Sequence, residues 1–214
     1  MRDAVAAEQA AARADAPIAF YFDPCCPFSY LAAERVERRF STVAWVPVDA
    51  SALGKDEPWS DPRVARLVRL LAERRAVELR LPLVWPDRFP PSRTSALRVA
   101  VHAVETGVAA AFALAASRLA FCGGFDLADP VILVEAAAAA GIEIDACLYA
   151  VDNAAYDEPL AANARGMPAL GVTQVPAFRV GSRWFAGEPS LGAASAWARA
   201  PDGGNAPGLA TSPA

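Results

Sequence analysis

Between residues 18 and 30 the chain has to stop being a strand and become a helix within a few positions. The stretch reads Ile-Ala-Phe-Tyr-Phe-Asp-Pro-Cys-Cys-Pro-Phe-Ser-Tyr. Its first five residues are an apolar and aromatic run closed by Asp23 and Pro24, the signature of a buried strand. Pro27 suits a first helical position, because its missing N–H would have no partner there. Helix formers follow through residue 40. This junction fixes an early β-α unit and places two cysteines, Cys25 and Cys26, at the turn.

Unpaired N–H groups and the positive end of the helix dipole gather at a helix N-terminus. That field favours thiolate over thiol, so Cys26 is expected to be a reactive nucleophile with a lowered pKa. The bland alternative is that both cysteines are small buried hydrophobes. The four residues Cys26-Pro27-Phe28-Ser29 put serine where a dithiol redox site has its second cysteine. A hydroxyl cannot attack a disulfide, but it can hydrogen-bond a sulfur anion. Cys25, adjacent to Cys26, is the remaining candidate for a resolving thiol.

The rest of the chain sorts into two characters. A second strand is expected over 43–48, with Pro47 at an end or on an edge strand. From Asp61-Pro62 to about residue 156 nearly everything reads as helix, and Val64, Leu67, Val68 and Leu71 follow helical spacing. Arginines accompany that first helix and read as a solvated basic face. A proline-rich loop over 81–91 carries Trp85 and Phe89, which either line a cleft or pack the loop down. The single histidine, His102, sits mid-helix and is expected to be structural. Strands then return at 177–180 and 183–186 around Gly181-Ser182, a hairpin signal. A last helix follows Glu188-Pro189-Ser190 to about residue 200. Residues 1–16 read as a leader and 201–214, rich in Gly, Pro, Ala and Ser, as a disordered tail.

Composition narrows the function classes. The 214 residues and an apolar fraction of 55% support one domain with a sizeable core. A net charge of −4 gives no basis for a nucleic-acid partner. No run is long and apolar enough to span a membrane, and no secretion signal is apparent. Four cysteines at 25, 26, 122 and 147 form neither a disulfide framework nor a metal arrangement. Reduced thiols in the cytoplasm are therefore expected.

The order β-α-β, long helical stretch, Val-Pro turn, hairpin and final helix resembles the DsbA-like thioredoxin superfamily, specifically the branch of 2-hydroxychromene-2-carboxylate isomerases and kappa-class glutathione transferases. The residues carrying this are F-Y-F-D-P-C-C-P-F-S-Y-L-A at 20–32, F-P-P-S-R-T-S-A-L-R at 89–98, F-C-G-G-F-D-L at 121–127 and G-V-T-Q-V-P-A-F at 171–178. The resemblance implies an α/β thioredoxin fold, a central mixed sheet of about four strands, with residues 17–50 and 157–200 forming that domain and 51–156 an all-helical insertion. It places Cys26 at the reactive position and Val175-Pro176 at a cis-proline turn, where the backbone of Val175 would meet a ligand. Phe28, Val175 and Pro176 are the implied binding residues, and Cys26, Ser29 and Cys25 the catalytic ones. Glutathione or another low-molecular-weight thiol is the implied cofactor, with no metal. The partners implied are a small thiol or disulfide, or an aromatic small molecule, and a homodimer is compatible with the branch. Relatives often carry an Asp-Arg pair after the last strand to grip glutathione; here the residues are Gly187-Glu188-Pro189-Ser190. The leading expectation is a thiol-dependent oxidoreductase. A glutathione-dependent isomerase or transferase and a non-catalytic binding protein are the rivals.

Overall fold

Strand β1 (Ile18–Phe22) is central to a four-stranded sheet of order β2-β1-β3-β4, in a computed structural model that describes residues 17–54 and 61–200. The expected leader and tail lie outside the described residues. β2 (Ala44–Pro47) runs parallel to β1, while β3 (Ala177–Val180) and β4 (Arg183–Ala186) are antiparallel neighbours. Pro47 ends the edge strand β2, where a missing N–H costs least. This is the mixed sheet that the sequence implies.

Side chains alternate across a strand, so β1 has two apolar faces. Phe20 and Phe22 face one layer and Ala19 and Tyr21 the other. On the first face Phe20 stacks on Phe178 at 5.4 Å and meets Trp45 edge-on at 4.9 Å. Helix α1 (Pro27–Val36) covers this face through Tyr30, Leu31 and Val36, all buried. It ends sooner than the expected residue 40. The chain turns over 37–39 and delivers Phe40 into the core. On the second face Tyr21 packs with Val48, Leu53, Met167, Val172 and Val175.

The helical part comprises α2 (Pro62–Leu79), α3 (Thr94–Glu105), α4 (Ala109–Phe121), α5 (Pro130–Ala139), α6 (Ile144–Asp152) and α7 (Asp157–Ala164). Asp61 and Asp129 start α2 and α5 by accepting the N–H two residues on, each ahead of a proline. Each such cap stabilises its helix by about 1 kcal/mol. Leu97, Phe112, Leu133 and Cys147 of this part share one buried cluster with Phe20, Phe22 and Phe178 of the sheet. The insertion and the sheet therefore have a common core. Helix α8 (Leu191–Arg199) closes the first face after the hairpin.

Helix α2 forms where expected. The apolar positions Val64, Leu67 and Leu71 are 40%, 54% and 48% exposed, and the helix is seated through Ala72 and Ala76 instead. The helical spacing made the helix without burying it. Its arginines are partly engaged. Arg69 lies over the Trp85 and Phe89 rings, and Arg74 and Arg75 pair with Glu78. Trp85 and Phe89 themselves meet Phe121 edge-on, so they pack the loop onto the helical layer. His102 shares a hydrogen bond of 3.0 Å with the Tyr156 hydroxyl, which also donates to Glu105. Among the described residues no helix is long and apolar enough to cross a membrane.

Candidate active site

The turn after β1 is held by its own acid. The Asp23 carbonyl accepts the Cys26 N–H at 3.0 Å. Its carboxylate accepts the Cys25 N–H at 2.8 Å and the Ala50 N–H at 3.4 Å, and its N–H donates to Ser29 Oγ at 3.2 Å. Cys26 is the extended residue just before α1 and makes no side-chain cap. Its backbone N–H is committed to the turn.

The sulfur of Cys26 points at the segment that enters β3. It donates to the Val175 carbonyl at 3.7 Å, and the Val175–Pro176 peptide is cis. The expected juxtaposition of the reactive position and the cis-proline turn is present. Cys26 is half-buried against the second-face cluster that contains Val175. Cys25, one residue earlier, faces the other way into the main core and is only 5% exposed. The turn thus sends the two thiols to opposite faces of the sheet. All four cysteines are free. Phe28 is half-buried at the edge of the main core cluster.

The electrostatics reverse the expectation for Cys26. Burial pushes its thiol up to about 11, and the Asp23 carboxylate adds to the rise. The Ser29 and Phe28 N–H groups and the Ser29 hydroxyl hydrogen-bond the sulfur and pull the other way, but they do not prevail. A helix N-terminus lowers a thiol pKa when the sulfur is solvated and no anion is near; here neither condition is met. Burial lifts Asp23 itself from 3.8 to about 6, with Arg93 opposing. Arg93 Nε stands 3.7 Å from Asp23 and its Nη1 3.5 Å from Asp49. Cys25 is raised well above the ordinary thiol value, by burial and then by Asp23.

Sequence reading missed two parts of this arrangement. Asp23 appeared only as the end of a strand, although an acid three residues before a reactive cysteine is itself a signal. Arg93 had no local signal, because its partner is 70 residues away. The third surprise is Glu188. Gly187, with φ of 84°, turns the chain after β4 where a Cβ would approach the Gln174 side chain. This drops Glu188 into the interior, 1% exposed, where it pairs with Arg35 of α1 and with Arg75 of α2. The acid at the turn after the last strand is therefore occupied in joining three elements. The Tyr30 hydroxyl also acquires partners, donating to the Pro82 carbonyl at 2.8 Å and lying 3.2 Å from Cys122 Sγ.

Residues 17–195 match the family model of the DSBA-like thioredoxin domain. No curated protein sequence matches the chain. Among solved structures, a 2-hydroxychromene-2-carboxylate isomerase superposes with a TM-score of 0.69 at 17% identity, covering 82% of this chain and 91% of that one. A probable DsbA oxidoreductase from Streptomyces coelicolor gives 0.70 at 21% identity, covering 91% and 93%. The cytosolic disulfide reductase DsbM from Pseudomonas aeruginosa, solved with GSH, gives 0.58 at 20% identity over 85% and 95%. At these identities the likeness is one of fold.

Proposed function

The chain belongs to the DSBA-like thioredoxin family, and from that membership we propose that it is a thiol–disulfide exchange enzyme working through Cys26 as a single active thiol. The observation that carries this reading is the Cys26 sulfur 3.7 Å from the Val175 carbonyl beside a cis proline, with Ser29 hydrogen-bonding the sulfur from the position a second thiol would take.

At neutral pH the resting group is a thiol that donates to Val175. A disulfide RSSR entering along residues 174–176 competes for that carbonyl and frees the sulfur. Cys26 loses its proton to solvent, and the thiolate attacks one sulfur of RSSR. A Cys26–SR bond forms, the S–S bond of RSSR breaks, and RS⁻ leaves and takes up a proton. A second low-molecular-weight thiol, for which glutathione is the proposed candidate, then attacks the mixed disulfide. Its deprotonated sulfur releases Cys26 as thiolate, which takes up a proton, and carries the RS group away as a new disulfide. Cys25 is buried on the other face, so the external thiol is the better candidate for this second attack. A strong oxidant is made by stabilising the reduced thiolate. The raised pKa of Cys26 does the opposite, which favours the reducing direction.

The isomerase reading needs glutathione held throughout as a cofactor, and Glu188, engaged by Arg35 and Arg75, offers no free grip for its amine; exchange needs the thiol only to reach the mixed disulfide. Exposure to oxidised glutathione should add one glutathionyl mass at Cys26, and Cys26→Ala should remove both the adduct and any exchange turnover. Turnover unchanged in Cys26→Ala would sink the reading. Isomerase activity retained in Cys26→Ser would move it to the rival.

A further inference from the structure

Arg93 comes from the loop before α3 and reaches the turn after β1, with only 13% of its side chain exposed. It stands between two carboxylates, 3.7 Å from Asp23 and 3.5 Å from Asp49. Asp23 is 1% exposed and its carboxylate accepts the N–H of Cys25 at 2.8 Å. The charged and titratable groups facing Asp23 are thus Arg93 and Asp49 from neighbouring segments, and Cys25 and Cys26 from its own turn. Asp126 adds a further negative charge near Cys25. A buried carboxylate in the turn that carries a thiol opposes the thiol's ionisation, and a cation beside the carboxylate relieves that opposition.

We propose that Arg93 is a positioning residue for Cys26, acting through Asp23. By holding and neutralising the carboxylate, it sets the pH range over which the active thiol gives up its proton. The inference rests on Cys26 being the working thiol, and it assigns to the helical insertion a part in the chemistry of the sheet domain. As Asp23 gains its proton near pH 6, the field against the Cys26 thiolate relaxes. The thiol then becomes relatively more acidic as the solution does.

The test is the rate of Cys26 alkylation by iodoacetamide as a function of pH, located by fragmentation mass spectrometry. In the unmodified protein the logarithm of the rate should rise with a slope below one across pH 5–7, because Asp23 ionises there, and approach one above. Asp23→Asn should restore a slope of one throughout and raise the rate at pH 9 by about three- to tenfold. Arg93→Gln should lower the rate at pH 9 by a similar factor, Arg93→Lys should recover most of it, and the Arg93→Gln effect should vanish in the Asp23→Asn background. A loss of thermal stability in Arg93→Gln with an unmoved rate profile would reduce Arg93 to a structural role and overturn the proposal. An equal effect in both backgrounds would overturn the route through Asp23. If Asp23→Asn does not fold, the Gln and Lys variants decide alone. The proposal fails if neither changes the profile or if Lys does not recover it. Alkylation needs no disulfide exchange, so these outcomes are independent of whether Cys26 forms a mixed disulfide with glutathione.

Discussion

The Cys26 sulfur and the Val175 carbonyl oxygen, 149 positions apart in the chain, stand 3.7 Å apart. The contact joins the turn after β1 to the turn before β3. It exists because these two strands are antiparallel neighbours, with Tyr21 opposite Ala177. The proposed active thiol and the backbone proposed to receive a ligand are therefore fixed by one sheet register.

The opposite orientation of the two adjacent cysteines predicts unequal access. In the native protein, limiting iodoacetamide at pH 8.5 should label Cys26 and leave Cys25 unmodified. Labelling of Cys25 should appear only in denaturant, since it is 5% exposed within the main core. Equal labelling of both in the native state would refute the arrangement.

Ser29 hydrogen-bonds the Cys26 sulfur and accepts the Asp23 N–H. A hydrogen bond to a charged group contributes about 1.5–3 kcal/mol. Ser29→Ala should therefore slow Cys26 alkylation about tenfold or more at constant pH. Loss of the buried acceptor for Asp23 should also destabilise the fold by about 1 kcal/mol, read by urea denaturation. Ser29→Thr, which retains the hydroxyl, should recover part of the rate.

Glu188 joins α1 and α2 to the turn after β4 through Arg35 and Arg75. Removing one side of a buried charge network costs about 3–5 kcal/mol, because the partners are left uncompensated. Arg35 and Arg75 keep 18% and 27% of their side chains exposed, which places the cost near the lower end. Glu188→Ala should lower the melting temperature by about 6–12 °C in a chain of this size. A shift under about 2 °C by calorimetry would show that the pairs contribute little.

Asp23 gives the stability a specific pH dependence. Its folded pKa, about 6, lies above the ordinary 3.8, so between these values the folded state holds more proton than the unfolded state. Stability from this group is present below pH 4 and is lost as pH rises through 6, by about 3 kcal/mol in all. Asp157 and Glu78 are shifted downward and slope the other way, so the comparison must be with Asp23→Asn. Denaturation midpoints at pH 4.5 and 7.5 should show the unmodified protein losing more stability across that interval than the variant. Parallel behaviour would place the Asp23 carboxyl near its ordinary value.

The amino-acid sequence alone determined the elements and their order. Strand β1, the proline-started helix α1, the hairpin at Gly181-Ser182 and most helix boundaries follow from short-range signals: periodicity, capping acids, glycine and proline. Cys26 and Pro176 were legible as candidate positions for the same reason, since each sits in a distinctive local motif, and the fold brings the two motifs together. Tertiary structure alone decided the electrostatics. The Cys26 pKa depends on how much water the fold removes and on which charges it brings near. The local helix field pointed down, while burial and Asp23 pushed up. Arg93 beside Asp23, Glu188 between Arg35 and Arg75, and the exposed Leu67 and Leu71 on α2 are likewise products of long-range packing. Local backbone preferences act over a few residues and can be read in order along the chain. Desolvation and Coulomb terms act through space, and only the completed fold supplies their distances.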